Sequence, residues 1–234
     1  MLDVAILIPA LDEEASVGSV IEGVPRAGPG WRVREVVVAD NGSRDRTAVA
    51  AQAAGATVVV EPRRGYGAAC LAGIARLSSR PPGAVVFLDA DGSDDAGQLG
   101  ELLEPLVARR AELVIGARDA RTAEPGALTP VQRFGNRLAT RLLALAFGAR
   151  ATDLGPFRAI RWEALDSLGM RDRDFGWTVE MQARAARAGR RVVEVPVRYR
   201  RRRAGRSKVA GTVTGSIAAG AKILLTIARV RLGG

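Results

Sequence analysis

Short β-branched runs alternate with alanine-rich helical patterns through the first half of the chain, and this alternation restricts the possible folds more than any other feature. The runs are almost continuously apolar, as is typical of strands whose two faces are both covered by helices. The expected strands are Val4–Ile8, Val33–Ala39, Thr57–Val60, Val85–Leu88 and Leu113–Ile115. The expected helices are Glu13–Glu22, Arg46–Ala54, Ala68–Leu77 and Ala96–Arg109. The pattern predicts an α/β fold with a doubly wound, mostly parallel sheet and helices on both faces.

The regular alternation of strand and helix patterns ends after Arg118, but no internal repeat or low-complexity linker divides the chain. All 234 residues are therefore expected to form a single domain. A helix over Val131–Phe147 has an apolar face and a separate stripe of arginines. The apolar residues are Phe134, Leu138, Leu142 and Leu145, and the arginines are Arg133, Arg137 and Arg141. The other expected elements are a loop at Ala120–Pro130, strands at Leu154–Ile160 and Arg191–Val197, a helix at Val179–Ala188, a basic loop at Arg200–Ala210 and a helix at Thr212–Arg231.

The residue types that are missing exclude several kinds of active site. The chain has no histidine and a single cysteine, Cys70. It therefore has no Ser-His-Asp or Cys-His catalytic pair, no histidine zinc site, no disulfide framework and no cysteine metal cluster. A metal ion would have to bind oxygen ligands, which suit Mg²⁺ or Mn²⁺.

The net charge of +10 is concentrated near the end of the chain. The stretch from Arg187 to Lys208 contains ten basic residues and one acidic residue, Glu194. Arginine binds phosphate groups with two parallel hydrogen bonds, so the stretch suits a nucleotide, an anionic lipid or a phosphorylated substrate. A solvated basic edge without a ligand is the alternative.

No segment has the composition of a signal peptide or a membrane span. The first apolar run, Val4–Leu11, contains Pro9 and lacks a basic start. The longest candidate span, Val213–Leu232, is interrupted by three basic residues. Its apolar side, with Val213, Ile217, Leu224 and Ile227, either packs onto the domain or contacts an anionic membrane surface. We expect a cytoplasmic protein, working at the inner face of the membrane if its substrate is a lipid.

Polar clusters follow three of the expected strands. They are Asp12-Glu13-Glu14 after the first strand, Asp40-Asn41-Gly42-Ser43 after the second and Asp89-Ala90-Asp91 after the fourth. Because the carboxyl ends of parallel strands meet at one edge of a sheet, the clusters should line one crevice. Asp89 and Asp91 can hold one hard cation, and that cation can bridge the phosphates of a nucleotide. Turn formation and helix capping are the alternative for a single cluster, for example at Ser43 and Asp45.

Two common phosphate-binding fingerprints are incomplete in this chain. A P-loop needs a lysine in a fixed frame after its glycines, and neither lysine occupies such a frame. Gly65-Tyr66-Gly67 begins like a dinucleotide-binding fingerprint, but Cys70 stands where the third glycine belongs. We therefore expect these glycines to allow a tight backbone turn beside a ligand.

Taken together, the motifs resemble those of family 2 glycosyltransferases with the GT-A fold, in particular the polyprenyl-phosphate (dolichyl-phosphate) sugar synthase branch. The resemblance covers nearly the whole chain in order. The matching segments are Pro9–Glu14, Ala39–Thr47, Gly65–Ala69, Leu88–Gly92, Gly116–Arg118, Asp153–Ala159, Glu194–Val197 and Arg202–Lys208. The resemblance implies a nucleotide-sugar-binding half over 1–118, an acceptor half with the basic loop over 119–210 and an amphipathic helix over 211–234.

The resemblance also implies roles for single residues. Those that would line the nucleoside pocket are Pro9, Leu11, Glu13 and Asp40. Asp89 and Asp91 would hold the divalent metal and the donor diphosphate, which makes Asp91 a catalytic residue. Those that would bind the phosphate or the acceptor are Arg118, Arg133, Arg202, Ser207 and Lys208. The chain departs from many relatives at Asn41, and it offers Ser93 or Asp94 as a third metal contact.

The acceptor decides which further residues are needed. The resemblance implies that a sugar leaves a nucleotide diphosphate by a single in-line displacement with inversion. A polyprenyl phosphate or another phosphorylated acceptor is already ionised and needs cations rather than a base. A soluble hydroxyl acceptor needs a general base, for which Asp153, Asp174 and Glu180 are candidates. Glu180 alternatively pairs with Arg184 on a helix surface.

A non-catalytic module that binds polyanions or a membrane is a further alternative. Acidic residues at three strand ends would repel a polyanion, and we expect no nucleic-acid partner.

Lys208 of the basic loop is expected to contact the acceptor phosphate. Lys208→Ala should weaken the use of a phosphorylated acceptor far more than it weakens donor binding, because its charge is assigned to the acceptor phosphate. Steady-state kinetics with each substrate varied in turn, together with donor binding by calorimetry, measures both effects. Equal losses for donor and acceptor would contradict this assignment of the loop.

Overall fold

The computed structural model describes residues 1–202 and 213–233, with the side chains of all of these except residues 119–122 and 213–221. Within this part of the chain, the strands are β1 (Leu2–Ala10), β2 (Ala27–Gly28), β3 (Trp31–Asp40), β4 (Thr57–Val60), β5 (Ala84–Phe87), β6 (Leu113–Ala123), β7 (Arg158–Arg161) and β8 (Val192–Tyr199). The helices are α1 (Val17–Glu22), α2 (Thr47–Ala53), α3 (Tyr66–Ser78), α4 (Leu99–Val107), α5 (Pro130–Phe147), α6 (Trp162–Leu168), α7 (Trp177–Arg187) and α8 (Val213–Arg231).

One sheet contains all the described strands, and most of them are parallel. Its order is β3–β1–β5–β7–β6–β8, and both β2 and β4 pair with β3. β1, β3, β4 and β5 run in one direction, and β8 is parallel to β6. β7 runs antiparallel to both β5 and β6. The predicted mostly parallel α/β sheet is confirmed, and it joins the first and second halves of the chain.

Helices cover both faces of this sheet because alternate residues of each central strand point to opposite sides. Ile6 and Ile8 of β1 pack with α1, α2 and α4 on one face. Leu7 packs with α3, α6 and α7 on the other face. A third apolar cluster joins α5, α7 and α8 around Leu143 and Ile227. Each buried side chain of this size stabilises the fold by about 1.5–3 kcal/mol, so burial on both faces explains the unbroken apolar runs of the strands.

Several parts of the second half differ from the sequence-based prediction. The expected strand Leu154–Ile160 is shorter in the structure, since β7 begins only at Arg158. β6 continues to Ala123, which lies inside the predicted loop, because its last residue pairs with Tyr199 of β8. The short helix α6 was not predicted, because seven residues are too few to reveal a helical period. In α8, Ile227 is buried while Leu224 is 45% exposed, so the described end of this helix packs on one side only. The basic loop is described only as far as Arg202.

The start of α3 is held by the backbone of a distant loop, residues 172–174. The amide of Gly67 donates to the Asp174 carbonyl over 3.2 Å, and the amide of Ala68 donates to the Arg173 carbonyl over 2.8 Å. A Cβ atom on Gly67 would lie 2.0 Å from the Asp172 carbonyl oxygen, and one on Gly65 would lie 2.1 Å from the Arg173 carbonyl oxygen. The two glycines therefore allow the backbone of residues 172–174 to approach closely. The sequence-based prediction placed a ligand beside this turn and did not anticipate the backbone contact.

This contact predicts a specific sensitivity of the fold. Gly67→Ala should lower the free energy of unfolding by about 2–3 kcal/mol, because the added methyl group forces two backbone segments apart. Urea unfolding followed by circular dichroism measures the change. The matched control is Gly135→Ala in α5, where a Cβ meets nothing within 4 Å. That substitution should stabilise the protein by up to about 1 kcal/mol, and equal effects of the two substitutions would contradict the contact.

Candidate active site

A cleft of about 410 Å³ opens at the carboxyl ends of β1 and β5. Its walls come from several elements that are far apart in sequence. The residues that line it include Pro9, Leu11, Glu13, Asn41, Tyr66, Asp89, Asp91, Arg118, Gln132, Phe175, Tyr199 and Arg202. The polar clusters predicted to meet at one sheet edge thus contribute to a single cleft.

The paired carboxylates after β5 are held in different ways. Asp91 accepts hydrogen bonds at Oδ1 from the amide and hydroxyl of Ser93, over 2.8 and 2.5 Å. Its Oδ2 lies 2.9 Å from the guanidinium of Arg202, which also pairs with Glu13 over 2.5 Å. Asp89 Oδ1 accepts from the hydroxyl of Tyr66 over 3.1 Å. Asp91 is thus fixed by one cation, and Asp89 by a neutral donor.

The turn that follows adds a third buried carboxylate, Asp94. Burial and the charge of neighbouring Asp91 raise the pKa of Asp89 to about 7. Burial together with the charges of Asp89 and Asp91 raises the pKa of Asp94 well above its usual value. The Asp94 Oδ1 atom is buried without a hydrogen-bond partner among the described residues. This end of the cleft therefore favours added positive charge.

The carboxylate oxygens after β5 suit a divalent cation. Among the described residues, no three carboxylates are arranged to surround an ion by themselves. Mg²⁺ is commonly held by one or two carboxylates and completes its shell with water and substrate phosphates. Asp89 and Asp91 match that pattern, so the residues present fit a cation shared with a nucleotide diphosphate. Of the two residues that the sequence offered as a third contact, Ser93 already binds Asp91 through its hydroxyl, and Asp94 does not line the cleft.

Arg118 lies where the cleft meets a second pocket. Its guanidinium forms two hydrogen bonds with Asp153, of 2.7 and 2.8 Å, and its amide donates to the same carboxylate over 2.8 Å. The guanidinium carbon also lies 5.1 Å from the centre of the Tyr199 ring. Burial disfavours the charge, but the hydrogen bonds that Arg118 donates to the Asp153 carboxylate keep the pKa of Arg118 above its ordinary value. The arginine is therefore a fixed positive charge on the wall of the cleft.

The second pocket, also of about 410 Å³, lies on the far side of Arg118. It is lined mainly by the end of β6 and the start of α5. Its lining residues are Arg118, Ala123, Glu124, Pro125, Gly126, Leu128, Gln132, Arg133, Asn136, Arg137 and Thr152. Arg118 and Gln132 line both pockets. A molecule in this pocket would thus lie next to a ligand in the cleft.

The candidate bases do not line the cleft. Asp153 is 3% exposed and is fully engaged with Arg118. Glu180 is also 3% exposed, and it accepts from the amides of Arg171 and Asp172 and from Arg184. The expected pairing of Glu180 with Arg184 is present, but it is buried rather than on a helix surface. A role as base stays a prediction for both acids, and the geometry gives each of them structural partners instead.

Other residues from the sequence-based site fall in several places. Pro9, Leu11, Glu13 and Arg202 line the cleft, whereas Arg133 lines the second pocket and not the cleft. Asp40 is 6% exposed and does not line the cleft, and its buried Oδ1 has no partner among the described residues. Ser207 and Lys208 lie outside the described residues. The roles assigned to all of these stay predictions.

Several cleft residues were given no role of their own in the sequence-based site. Tyr66 and Tyr199 are aromatic residues in ordinary strand or helix positions, and nothing local to them indicates a ligand. Asn41 donates to the carbonyls of Glu61 and Arg63 and accepts from the Gly65 amide over 2.8 Å, so it fixes the loop before α3. The position of Asn41 directly after a strand was the feature of the sequence that could have indicated its place in the cleft.

Comparisons with known proteins agree with this fold and cleft. The model of the family described as "Glycosyl transferase family 2" matches residues 5–169. An uncharacterized glycosyltransferase of Mycobacterium tuberculosis is 42% identical over 217 residues, which cover 92% of this chain and 94% of the relative. A dolichyl-phosphate hexose transferase of Haloferax volcanii is 32% identical, with 88% of this chain and 86% of the relative covered. An undecaprenyl-phosphate mannosyltransferase of Micrococcus luteus is 34% identical over 160 residues, 64% of this chain and 63% of the relative.

The fold has a close counterpart among solved structures. Glucosyl-3-phosphoglycerate synthase from Mycobacterium tuberculosis, in complex with Mn²⁺, UDP and phosphoglyceric acid, superposes with a TM-score of 0.76. The superposition covers 98% of this chain and 78% of the other at 24% identity, which establishes likeness of fold. The family match and the named relatives thus define a glycosyltransferase. The chain belongs to glycosyl transferase family 2, as the resemblance of its motifs predicted.

The Arg118–Asp153 pair predicts a large cost for removing one charge. Asp153→Asn should lower the free energy of unfolding by about 3–5 kcal/mol, because it leaves a buried guanidinium without its counter-ion. The control is Glu104→Gln, which breaks an ion pair with Arg110 whose side chains are both 58% exposed. That change should cost less than about 1 kcal/mol. Urea unfolding compares the two variants, and similar losses would contradict the structural role of Asp153.

Proposed function

We propose that the protein moves a sugar from a nucleotide diphosphate to a phosphorylated acceptor, foremost a polyprenyl phosphate, with Mg²⁺ or Mn²⁺ and with inversion. The observation that carries the proposal is the pair of pockets that meet at Arg118 and Gln132. One pocket presents carboxylates suited to a cation and a diphosphate. The other presents arginines suited to a second phosphate.

The donor would occupy the cleft. Pro9 and Leu11 at the end of β1 would contact the nucleoside, and Asp89 and Asp91 would hold the cation on the diphosphate. When bound, the cation neutralises the charge that develops on the leaving diphosphate. Arg202 now pairs with Asp91 and Glu13, so it would turn toward the donor phosphates once the cation binds.

The acceptor phosphate would lie in the second pocket, held by Arg118, Arg133 and Arg137. An oxygen of this phosphate attacks the anomeric carbon as the bond from that carbon to the donor diphosphate breaks, and the diphosphate leaves with the electron pair. The phosphate is already ionised near neutral pH, so no proton has to be removed. The only carboxylate among the residues that line this pocket is Glu124, which accepts from the Arg201 amide over 2.8 Å.

The named relatives support a phosphorylated acceptor. Two of them are a dolichyl-phosphate hexose transferase and an undecaprenyl-phosphate mannosyltransferase, and the solved counterpart binds phosphoglyceric acid. A hydroxyl acceptor is less well served, since Asp153 and Glu180 are buried with partners, and the half-exposed Asp174 pairs with Lys222 and does not line the cleft. A non-catalytic polyanion-binding module does not account for the acidic cleft.

A polyprenyl phosphate would require the protein to work at the cytoplasmic face of a membrane, in peripheral contact with it. No described helix is both long and apolar enough to cross a bilayer.

Calorimetry with a panel of UDP-, GDP- and dTDP-sugars, with and without Mn²⁺, tests the donor site. One donor should bind more tightly with Mn²⁺, and chelation of the metal should abolish transfer. Asp91→Asn should remove the effect of Mn²⁺ and lower turnover by about 10²–10³-fold, because the leaving diphosphate loses its stabilising charge.

The matched control is Asp3→Asn, which changes a carboxylate at the opposite end of β1 that pairs with Arg32. It should retain the effect of Mn²⁺ on donor binding. Transfer to polyprenyl phosphate and to phosphoglyceric acid should then be compared by product mass. If no nucleotide sugar bound, or if Mn²⁺ had no effect on the wild type, the proposal would be refuted.

A further inference from the structure

The outward face of α5 is apolar, although it faces solvent. Val131, Phe134, Leu138 and Leu145 are 60, 69, 41 and 84% exposed. These four residues, the α5 stripe, recur at spacings of three, four and seven and so lie along one side of the helix. The opposite side holds the helix onto the protein through Ala139, Thr140 and Leu143. The sequence pattern identified an apolar face here, and the structure turns most of that face away from the core.

Three arginines accompany the α5 stripe. Arg133, Arg137 and Arg141 are exposed and lie four residues apart along one flank of the stripe. Helix α5 contains no acidic residue, and none of the three arginines pairs with a carboxylate whose side chain the structure describes. Arg133, Arg137 and Phe134 also border a surface depression of about 330 Å³. The face therefore combines apolar side chains with uncompensated positive charge.

We propose that the α5 stripe docks the protein on an anionic lipid bilayer. An apolar stripe with a flank of arginines is the pattern of helices that lie in the plane of a membrane interface. Such a helix buries its apolar side chains among the lipid chains while its arginines contact the phosphates of anionic headgroups. A second copy of the chain fits less well, because a two-fold contact between α5 helices would bring two unpaired arginine rows together.

The position of α5 links this surface to the active site. Arg133 and Arg137 line the second pocket as well as the flank of the stripe, and Gln132 at the start of the helix lines both pockets. A helix resting on the bilayer would hold the second pocket close to the level of the lipid headgroups. The reason for docking rests on the proposed lipid-phosphate acceptor, but the docking itself requires neither donor nor acceptor.

Co-sedimentation with phosphatidylcholine vesicles, with and without phosphatidylglycerol, tests the proposal in the absence of substrates. The wild type should bind vesicles that contain phosphatidylglycerol, and salt should weaken the binding. Phe134→Gln/Leu138→Gln should lower the partition coefficient at least about tenfold, because two apolar side chains no longer enter the lipid. Arg141→Gln, which lines none of the described pockets, should lower it about fivefold at low salt.

Two control variants locate the surface. Val49→Gln/Val60→Gln removes exposed apolar side chains of α2 and β4 and should leave vesicle binding unchanged. Leu224→Gln/Leu225→Gln does the same on α8 and should also leave it unchanged. Loss of binding in the α8 variant but not in the α5 variant would overturn the proposal in favour of α8. No binding of the wild type to anionic vesicles would overturn it as well.

Light scattering completes the test. A wild-type dimer that Phe134→Gln/Leu138→Gln converts to a monomer would overturn the proposal, because the stripe would then be an interface between copies of the chain. Donor binding by calorimetry should be the same in the wild type and this variant. In the wild type, donor binding without vesicle binding would refute the docking surface and leave the proposed transfer standing, whereas vesicle binding without donor binding would refute only the transfer.

Discussion

Crowding of carboxylates after β5 is the constraint on which the cleft depends, because Asp91 and Asp94 are buried beside the half-buried Asp89. Burial and the charge of Asp91 raise the pKa of Asp89, and burial together with the charges of Asp89 and Asp91 raises that of Asp94. The Tyr66 hydroxyl and the Ser93 amide supply hydrogen bonds, and Arg202 supplies charge from a segment more than 100 residues away. The carboxylates at this edge are thus fully stabilised only when the segment after β8, which carries Arg202, lies against the ends of the strands.

Arg118 lines both pockets, and several contacts hold its side chain in one position. Its guanidinium donates two hydrogen bonds to Asp153 and stacks on Tyr199, and its backbone amide donates a third bond to Asp153, so two distant parts of the chain fix this residue. A charge that is already in position does not have to move during a reaction. Electrostatic catalysis is most effective when charges are preorganised in this way. The same bonds explain why Asp153, which the sequence offered as a base, is better described as a positioning residue.

The sequence predicted the features that depend on local pattern. β4 has the predicted bounds, and the carboxylates after β1 and β5 lie in one cleft as strand polarity requires. What it could not predict depends on contacts between distant segments: the loop against Gly65 and Gly67, or the backbone amides of residues 171 and 172 that donate to Glu180. Periodicity also found the apolar residues of α5 without their direction, because an amphipathic pattern does not state which face meets the core.

The single cysteine has a practical consequence. Cys70 is buried in α3 within the cluster that contains Trp177, and burial raises the pKa of its thiol well above the usual value. A thiol reagent can therefore reach it only when α3 separates from the sheet. Since the chain has no other cysteine, the labelling rate would report the opening of this one helix beside the cleft, without any engineered probe.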